Sequence, residues 1–319
     1  MHDRPDPSAF TVHRAAVREG LELAYLREGI GGYPLLLVHG WPETKRIWWR
    51  NVRPLAEAGF EVIVPDLRGF GDSGLAPDGF YDLAVHAHDL QRLVSDVLGH
   101  PRCAAAGGDL GGGVIQDMGL RFTGLIERQV LFNSILPLLG DRYERAGIPA
   151  AGSPVVRMAG DYFVRQARDA DGLAAELDSE ARRRRYVAGF YGHRFWAAPG
   201  AFGAEAVDFM TEPFGDPARL RAGWGNYESA LGTRPLSEAP RFFEVSDVPT
   251  LALYGPDDHV IWPEFPAMRE VAFTELVGPF VVPRAGHFLQ WERAELLNRS
   301  LIYFLGDLRV RPPRSDPPG

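Results

Sequence analysis

The sequence contains a single cysteine, Cys103, so an intramolecular disulfide is excluded. Cys103 lies in an apolar stretch, which predicts a buried and unreactive thiol. No run of about 18 apolar residues is present, and the first residues contain no apolar signal core. Positive charge is also scarce, because 34 Lys and Arg stand against 42 Asp and Glu and give a net charge of −8. We therefore expect a cytoplasmic protein whose partners include no nucleic acid and no membrane.

Motifs of several common enzyme classes are missing as well. The chain has no G-K-[ST], and no G-x-G-x-x-G stands in a βαβ context with a following acidic residue, so nucleotide binding has little support. It also lacks G-x-S-x-G, which argues against a serine esterase. His86 and His88 are two apart on a predicted helix and diverge by about 200°, so they cannot share a metal ion. We expect neither a cofactor nor a metal.

What the sequence does have is an alternation of strand and helix patterns. Phe10–Val17 and Leu21–Arg27 predict an opening hairpin, and apolar runs such as Leu35–Val38 predict strands that are covered on both faces. Amphipathic stretches such as Leu83–Leu98 predict the intervening helices. The pattern indicates an α/β fold with a mostly parallel sheet flanked by helices and a functional site at the carboxyl ends of the strands.

This alternation stops from about Leu136 to Phe243, where the spacing is compatible with helices alone. The segment is too long for a simple loop, so we expect a helical cap inserted into the sheet domain. The predicted division is a core of residues 1–136 and 245–319 and a cap of residues 137–244. Residues from about 309 are rich in proline and charge, which predicts a disordered tail.

The most informative stretch is Gly107-Gly108-Asp109-Leu110-Gly111, which predicts a strand, a sharp turn and a helix with Asp109 at the apex. Small residues on either side leave room for a strained backbone. The helix N-terminus would stabilise negative charge at the apex. The pattern favours a nucleophilic aspartate, although by itself it also fits a phosphate-binding turn or a helix cap.

Two later strand ends carry an acid and a histidine. Gly255-Pro256-Asp257-Asp258-His259 follows one strand, and Arg284-Ala285-Gly286-His287-Phe288 follows the last. The carboxyl ends of parallel strands meet at one edge of a sheet, so these side chains are expected near Asp109. The chain order of nucleophile, acid and histidine is that of the α/β-hydrolase fold.

Four motifs in order resemble an epoxide hydrolase of the α/β-hydrolase superfamily, in the branch with an aspartate nucleophile. They are His39-Gly40-Trp41-Pro42, the Gly-rich loop Asp66–Ser73, the Asp109 turn, and Gly286–Glu292. The resemblance implies the α/β-hydrolase fold with an inserted helical cap. It also implies conversion of a small apolar epoxide and water to a vicinal diol, without a cofactor. Whether the protein forms a homodimer is left open at this point.

The resemblance further implies roles for individual core residues. Asp109 would attack the epoxide and form a covalent alkyl ester, and His287 would activate the water that hydrolyses it. Asp258, chosen over Asp257 by the Gly-x-x-Asp spacing, would orient the imidazole. The backbone N–H groups of Trp41 and Leu110 would form the oxyanion hole.

The cap would supply the proton for the alkoxide. The resemblance carries this role to Tyr162, in Asp161-Tyr162-Phe163, and to Tyr227, in Gly225-Asn226-Tyr227-Glu228. A phenol suits it because its pKa of about 10 leaves it protonated at neutral pH. The residues expected to line the substrate site are Trp41, Trp196 and Phe288.

Two other functions stay open. A haloalkane or haloacid dehalogenase would share the three triad residues, although Leu110 offers no side-chain donor to a halide and Gly112 and Gly113 replace the arginines of fluoroacetate dehalogenases. A halide site built from cap residues such as Trp196 remains an alternative. The second alternative hypothesis is a non-catalytic ligand-binding relative, and the complete triad argues against it.

Overall fold

A computed structural model of the chain describes residues 5–149, 161–192, 196–241 and 243–310. In these residues eight strands form one sheet, in the order β1-β2-β4-β3-β5-β6-β7-β8. Their bounds are β1 Val12–Arg18, β2 Leu21–Glu28, β3 Tyr33–Val38, β4 Phe60–Pro65, β5 Cys103–Gly108, β6 Ile126–Ser134, β7 Thr250–Tyr254 and β8 Leu276–Val281.

The sheet is antiparallel at one end and parallel elsewhere. β1 and β2 form the predicted hairpin, and β2 pairs antiparallel with β4. From β4 through β3 and β5 to β8 every pairing is parallel. The apolar run Leu35–Val38 is fully buried, as a central strand with helices on both faces requires. The predicted α/β-hydrolase architecture is thus confirmed.

Helices follow most of the strands. Those of the core are α1 Val52–Glu57, α2 Leu83–Gln91, α3 Asp109–Arg121, α11 Phe265–Ala272, α12 Leu289–Glu292 and α13 Ala294–Phe304. Those between β6 and β7 are α4 Asp141–Arg145, α5 Tyr162–Arg168, α6 Ala170–Glu176, α7 Glu180–Gly192, α8 Ala204–Thr211, α9 Pro217–Gly223 and α10 Gly225–Ala230. Short 3₁₀ turns cover Lys45–Trp48, Glu212–Gly215 and Leu308–Val310.

The segment between β6 and β7 contacts the sheet domain at the carboxyl edge of the strands. The Tyr191 hydroxyl donates to the Pro42 carbonyl (2.5 Å), and the His287 N–H donates to the Trp196 carbonyl (2.7 Å). The described part of this segment, which is called the cap below, contains helices and no strand. The helices therefore cover the edge at which the candidate catalytic residues were expected. The predicted division into a core of residues 1–136 and 245–319 and a cap of residues 137–244 stays a prediction.

Two elements differ from their expected bounds. β8 begins at Leu276, although the pattern indicated a strand from Phe280, because Gly278 and Pro279 break the apolar run in the sequence. The strand crosses these two residues through an irregularity, with Gly278 at a φ of +97° and a register shift against β7. The predicted helix Leu83–Leu98 is α-helical only to Gln91 and continues as a π-helix over Arg92–Val97.

Composition also led to expectations for the single thiol, for membrane spans and for the C-terminal tail. Cys103 is fully buried in β5, and burial raises the pKa of its thiol to about 12, as an unreactive thiol requires. The helices in the described part of the chain include none with the length and apolar composition of a membrane span. Most of the tail predicted to be disordered, residues 311–319, lies outside the described residues.

Candidate active site

Asp109 lies at a sharp turn between β5 and α3. Its φ of +45° is in the left-handed region, which is strained for a residue other than glycine. A Cβ on Gly111 would lie 2.4 Å from the Val38 carbonyl oxygen, so only glycine allows α3 to approach β3 this closely. The turn projects the Asp109 carboxylate at the carboxyl edge of the sheet, where it is 7% exposed.

The two oxygens of Asp109 have different surroundings. The Trp41 N–H donates to Oδ1 over 2.8 Å, while Oδ2 lies 3.4 Å from His287 Nε2. Trp41 follows β3, and the Trp41–Pro42 peptide bond is cis. Leu110, the second residue expected at the oxyanion hole, is buried in the first turn of α3 directly after Asp109.

His287 is held between two carboxylates. Its Nδ1–H donates to Asp258 Oδ2 over 2.9 Å, and Asp258 Oδ1 accepts the Val260 N–H over 2.8 Å. Both side chains are buried. The bond at Nδ1 leaves Nε2 facing Asp109, the orientation in which an imidazole can exchange a proton with a group at the nucleophile.

The charges around His287 determine its protonation. Burial lowers its pKa, but the carboxylates of Asp258 and Asp109 more than offset this and raise the pKa well above the ordinary value for histidine. The resting site therefore favours an imidazolium between two carboxylates.

Two tyrosines from the cap face each other above this site. The hydroxyls of Tyr162, at the start of α5, and Tyr227, in α10, are 3.1 Å apart. The Trp41 ring stacks on Tyr162 with centroids 5.2 Å apart and meets Tyr227 edge-on at 5.7 Å. Burial raises the pKa of both phenols well above the ordinary value, and the Asp109 charge raises it further. Both hydroxyls therefore keep their protons at neutral pH.

Other cap tyrosines use their hydroxyls elsewhere. Tyr143 donates to the Pro137 carbonyl, and Tyr186 accepts from Gln166 Nε2. Trp196 packs against the His287 ring with centroids 4.6 Å apart, and Phe288 lies 6.0 Å from Trp196 in a stacked arrangement. Trp196 and Phe288 thus pack together beside the His287 ring, and their role in binding substrate stays a prediction.

Sequence reasoning missed Glu43, which is 2% exposed. Its Oε2 accepts the Gly40 N–H over 2.6 Å, and its Oε1 accepts from Gln290 Nε2 over 2.9 Å. Burial raises its pKa to about 7. Glu43 follows the motif residue Pro42 directly, and that position is the signal that could have drawn attention to it.

No three His, Cys, Asp or Glu side chains are grouped as metal ligands in the part of the chain that the structure describes. The groups that the structure brings together are a carboxylate nucleophile candidate, an imidazole with an acid bound to it, a backbone donor and two phenols. Such a set can attack an electrophilic carbon, protonate a developing alkoxide and activate a water molecule.

Comparisons with known proteins agree with the fold. A family model for the alpha/beta hydrolase fold matches residues 33–294. The soluble epoxide hydrolase of Corynebacterium sp. strain C12 is 30% identical over 306 residues, which cover 93% of this chain and 98% of that protein. Epoxide hydrolase A of Mycobacterium tuberculosis is 27% identical over a match that covers 92% of this chain and 96% of that protein.

A solved structure resembles the chain over nearly all of its length. Epoxide hydrolase CorEH without ligand superposes with a TM-score of 0.80 at 24% identity, and the match covers 94% of this chain and all of that one. At this identity the similarity shows the fold alone.

Proposed function

The chain belongs to the α/β-hydrolase fold family, and we propose that it is an epoxide hydrolase that forms a covalent ester on Asp109 and releases a vicinal diol. The observation that carries the proposal is a pair of phenol hydroxyls, on buried Tyr162 and half-buried Tyr227, that lie 3.1 Å apart and whose rings contact Trp41, the residue whose N–H binds the Asp109 carboxylate. An epoxide needs a proton donor opposite the attacking group, because ring opening leaves an alkoxide on the substrate itself.

Ring opening is the first step. Asp109 Oδ2 attacks an epoxide carbon, the C–O bond of the ring breaks, and Tyr162 or Tyr227 gives its proton to the departing oxygen. Oδ1 is held by the Trp41 N–H over 2.8 Å, which leaves Oδ2 as the attacking atom. The product is an alkyl ester of Asp109 with a free hydroxyl on the neighbouring carbon.

Hydrolysis of the ester is the second step. Neutral His287 takes a proton from water, and the hydroxide adds to the Asp109 carbonyl carbon. The Trp41 N–H, together with the Leu110 N–H, stabilises the tetrahedral oxyanion. Collapse breaks the bond between the Asp109 carbonyl carbon and Oδ2, and the proton of the added hydroxide passes to the departing alkoxide. The diol is thus released, Asp109 is again a carboxylate, and His287 is again the imidazolium of the resting site.

The charge of Asp109 couples the two steps. While Asp109 is ionised, it raises the pKa of His287 and of both phenols. Esterification removes this charge, so the imidazolium loses one of its two stabilising carboxylates and gives up its proton to the phenolate that ring opening leaves, which restores the phenol. The base thus becomes available when the ester is ready for hydrolysis.

The test uses the His287→Gln variant, which lacks the base for the second step. After exposure to styrene oxide, intact-protein mass spectrometry should detect an increase equal to one whole epoxide, mapped to Asp109 by peptide analysis. Asp109→Ala in the same background should give no adduct. Wild type, after a single turnover in water enriched in the heavy oxygen isotope, should carry the label in the Asp109 peptide.

Other outcomes would assign other functions. An adduct from haloalkanes alone, with halide release by wild type, would indicate a dehalogenase. Diol formation that persists in Asp109→Ala would contradict the covalent mechanism. No adduct and no turnover over a panel of epoxides and haloalkanes would favour the ligand-binding relative.

A further inference from the structure

Asn133 lies near the end of β6, beside the strand that carries Asp109. It is fully buried, and its φ of +38° lies in the left-handed region. Asparagine tolerates this conformation better than most residues, but at a cost that the surroundings must offset. The backbone of the next residue, Ser134, pairs with the backbone of Asp109 in an isolated parallel β-bridge.

The Asn133 amide joins the two loops that carry the acid and the histidine. Its Nδ2 donates to the Gly286 carbonyl over 2.5 Å, and its Oδ1 accepts the Gly255 N–H over 2.9 Å. Gly286 immediately precedes His287, and Gly255 begins the loop that ends at Asp258. One side chain therefore uses a donor and an acceptor to bind both loops at their bases.

These loops also touch each other. A Cβ on Gly255 would lie 2.5 Å from the Gly286 carbonyl oxygen, so the two backbones are in direct contact. The Asp257 N–H donates to the Ala285 carbonyl over 2.9 Å. Without the Asn133 amide, the Gly255 N–H and the Gly286 carbonyl would lose their partner in a buried region, and the loops would shift to recover one.

We propose that Asn133 is a positioning residue that fixes His287 and Asp258 relative to Asp109, and that it acts mainly on hydrolysis of the ester. The inference rests on the proposed function. Ring opening needs Asp109 and the phenols, which Asn133 does not hold by its side chain. Hydrolysis needs the imidazole within reach of a water at Asp109, and Nε2 lies only 3.4 Å from Oδ2. A small displacement of the His287 loop should therefore reduce the rate of ester hydrolysis.

The variants are Asn133→Ala, which removes the amide, and Asn133→Gly, which removes the amide and also relieves the strained φ. The matched control is Asn51→Ala, because Asn51 is equally buried but donates to Asn298 of α13 over 2.7 Å. With styrene oxide as the probe, rapid mixing and mass spectrometry give the rate at which the ester forms and the rate at which it decays.

We expect Asn133→Ala to slow decay of the ester by about 10- to 100-fold and to change its formation by less than about threefold. In Asn133→Gly the ester should decay as slowly as in Asn133→Ala, although the protein should regain the stability that the strained backbone costs. Asn51→Ala should change neither rate by more than about threefold. Equal losses in both steps, or normal decay in Asn133→Gly, would overturn the proposal.

A second measurement does not depend on epoxide chemistry. The low-field proton resonance of the His287 Nδ1–H reports its bond to Asp258, and we expect it to shift or disappear in both Asn133 variants and to persist in Asn51→Ala. An unchanged resonance in Asn133→Ala would refute the positioning role. Absence of any adduct in His287→Gln would instead refute the proposed function and leave this resonance to decide the role of Asn133.

Discussion

A single carboxylate influences the protonation of three other side chains at the site. Asp109 raises the pKa of His287, Tyr162 and Tyr227, and it does so from a buried position where water screens its charge poorly. For the phenols the effect keeps the proton on the donor until attack begins. For the imidazole it keeps the base protonated until the carboxylate is consumed.

Replacement of Asp109 by asparagine should therefore lower the pKa of His287, because the imidazolium loses one of two stabilising charges while its burial, which also lowers the pKa, is unchanged. An NMR titration of the His287 ring measures this directly. Asp117→Asn is the matched control, since Asp117 is a buried carboxylate of the same helix that pairs with Arg121. A His287 pKa that is the same in Asp109→Asn and wild type would contradict the coupling.

The phenol pair gives a second prediction at this scale. Tyr162→Phe and Tyr227→Phe should each slow ester formation, and the double variant should slow it by about 10²- to 10⁴-fold, the usual range for loss of a general acid. Ester decay should change less, because no phenol proton is needed for attack by water. Tyr186→Phe controls for loss of another hydroxyl of these helices, since Tyr186 is half-buried and its hydroxyl bonds to Gln166. A double variant with the wild-type rate of ester formation would move the acid role to another group.

At the scale of elements, the turn between β5 and α3 depends on close contact of backbones. A Cβ at position 111 would lie 2.4 Å from the Val38 carbonyl oxygen and 2.6 Å from that of His39. Gly111→Ala should therefore reduce the free energy of unfolding by about 1–3 kcal/mol, as overpacking does. It should also displace the N-terminus of α3 and with it Asp109. Denaturant unfolding and the rate of ester formation measure the two effects.

Gly189→Ala is the matched control for this helix glycine. Gly189 lies within α7, and a Cβ there would meet no atom within 4 Å. The change should stabilise the protein by about 0.5–1 kcal/mol, because alanine loses less conformational entropy in a helix. If Gly111→Ala behaved in the same way as Gly189→Ala, the close approach of α3 to β3 would not be a constraint on the fold.

The elements differ in how far the sequence predicts them, and the reasons are physical. Central strands such as β3 are long apolar runs with a definite end, so their position follows from burial on both faces. The sequence pattern places the start of β8 too late because Gly278 and Pro279 are turn formers by local preference, while the strand continues across them through a shift in its register with β7. The π-helical turn after Gln91 has no local signal that we can identify.

At the scale of the molecule, the sequence predicts the part of the site that topology brings together. Asp109, Asp258 and His287 each follow a parallel strand, and parallel strands end at one edge. Tyr162 and Tyr227 come from helices whose packing against each other has no such rule, so only the family resemblance points to them. Sequence reasoning misses Asn133 and Glu43 because a polar residue at a strand end or in a loop does not reveal in sequence that it will be buried.

The cap is also tied to the core away from the site. Arg46, in the 3₁₀ turn after the Trp41 loop, donates to the Phe209 carbonyl over 2.7 Å and places its guanidinium 4.8 Å from the Phe209 ring centre. It also pairs with Glu212 at 2.5 Å, although that carboxylate is 55% exposed and water screens much of the attraction. The backbone bond and the ring contact are therefore the larger part of this tie.

Arg46→Ala should lower the free energy of unfolding by about 1 kcal/mol or less, because a single partly exposed side chain is lost. Its local effect should be larger: amide hydrogen exchange in α8 should become faster by a greater factor than exchange in the strands of the sheet, which follows only the small global change. Arg299→Ala is the control, since Arg299 is 73% exposed and pairs with Glu295 of its own helix, α13. Uniform acceleration over the whole chain would mean that cap and core open together, and then the cap could not admit substrate by loosening on its own.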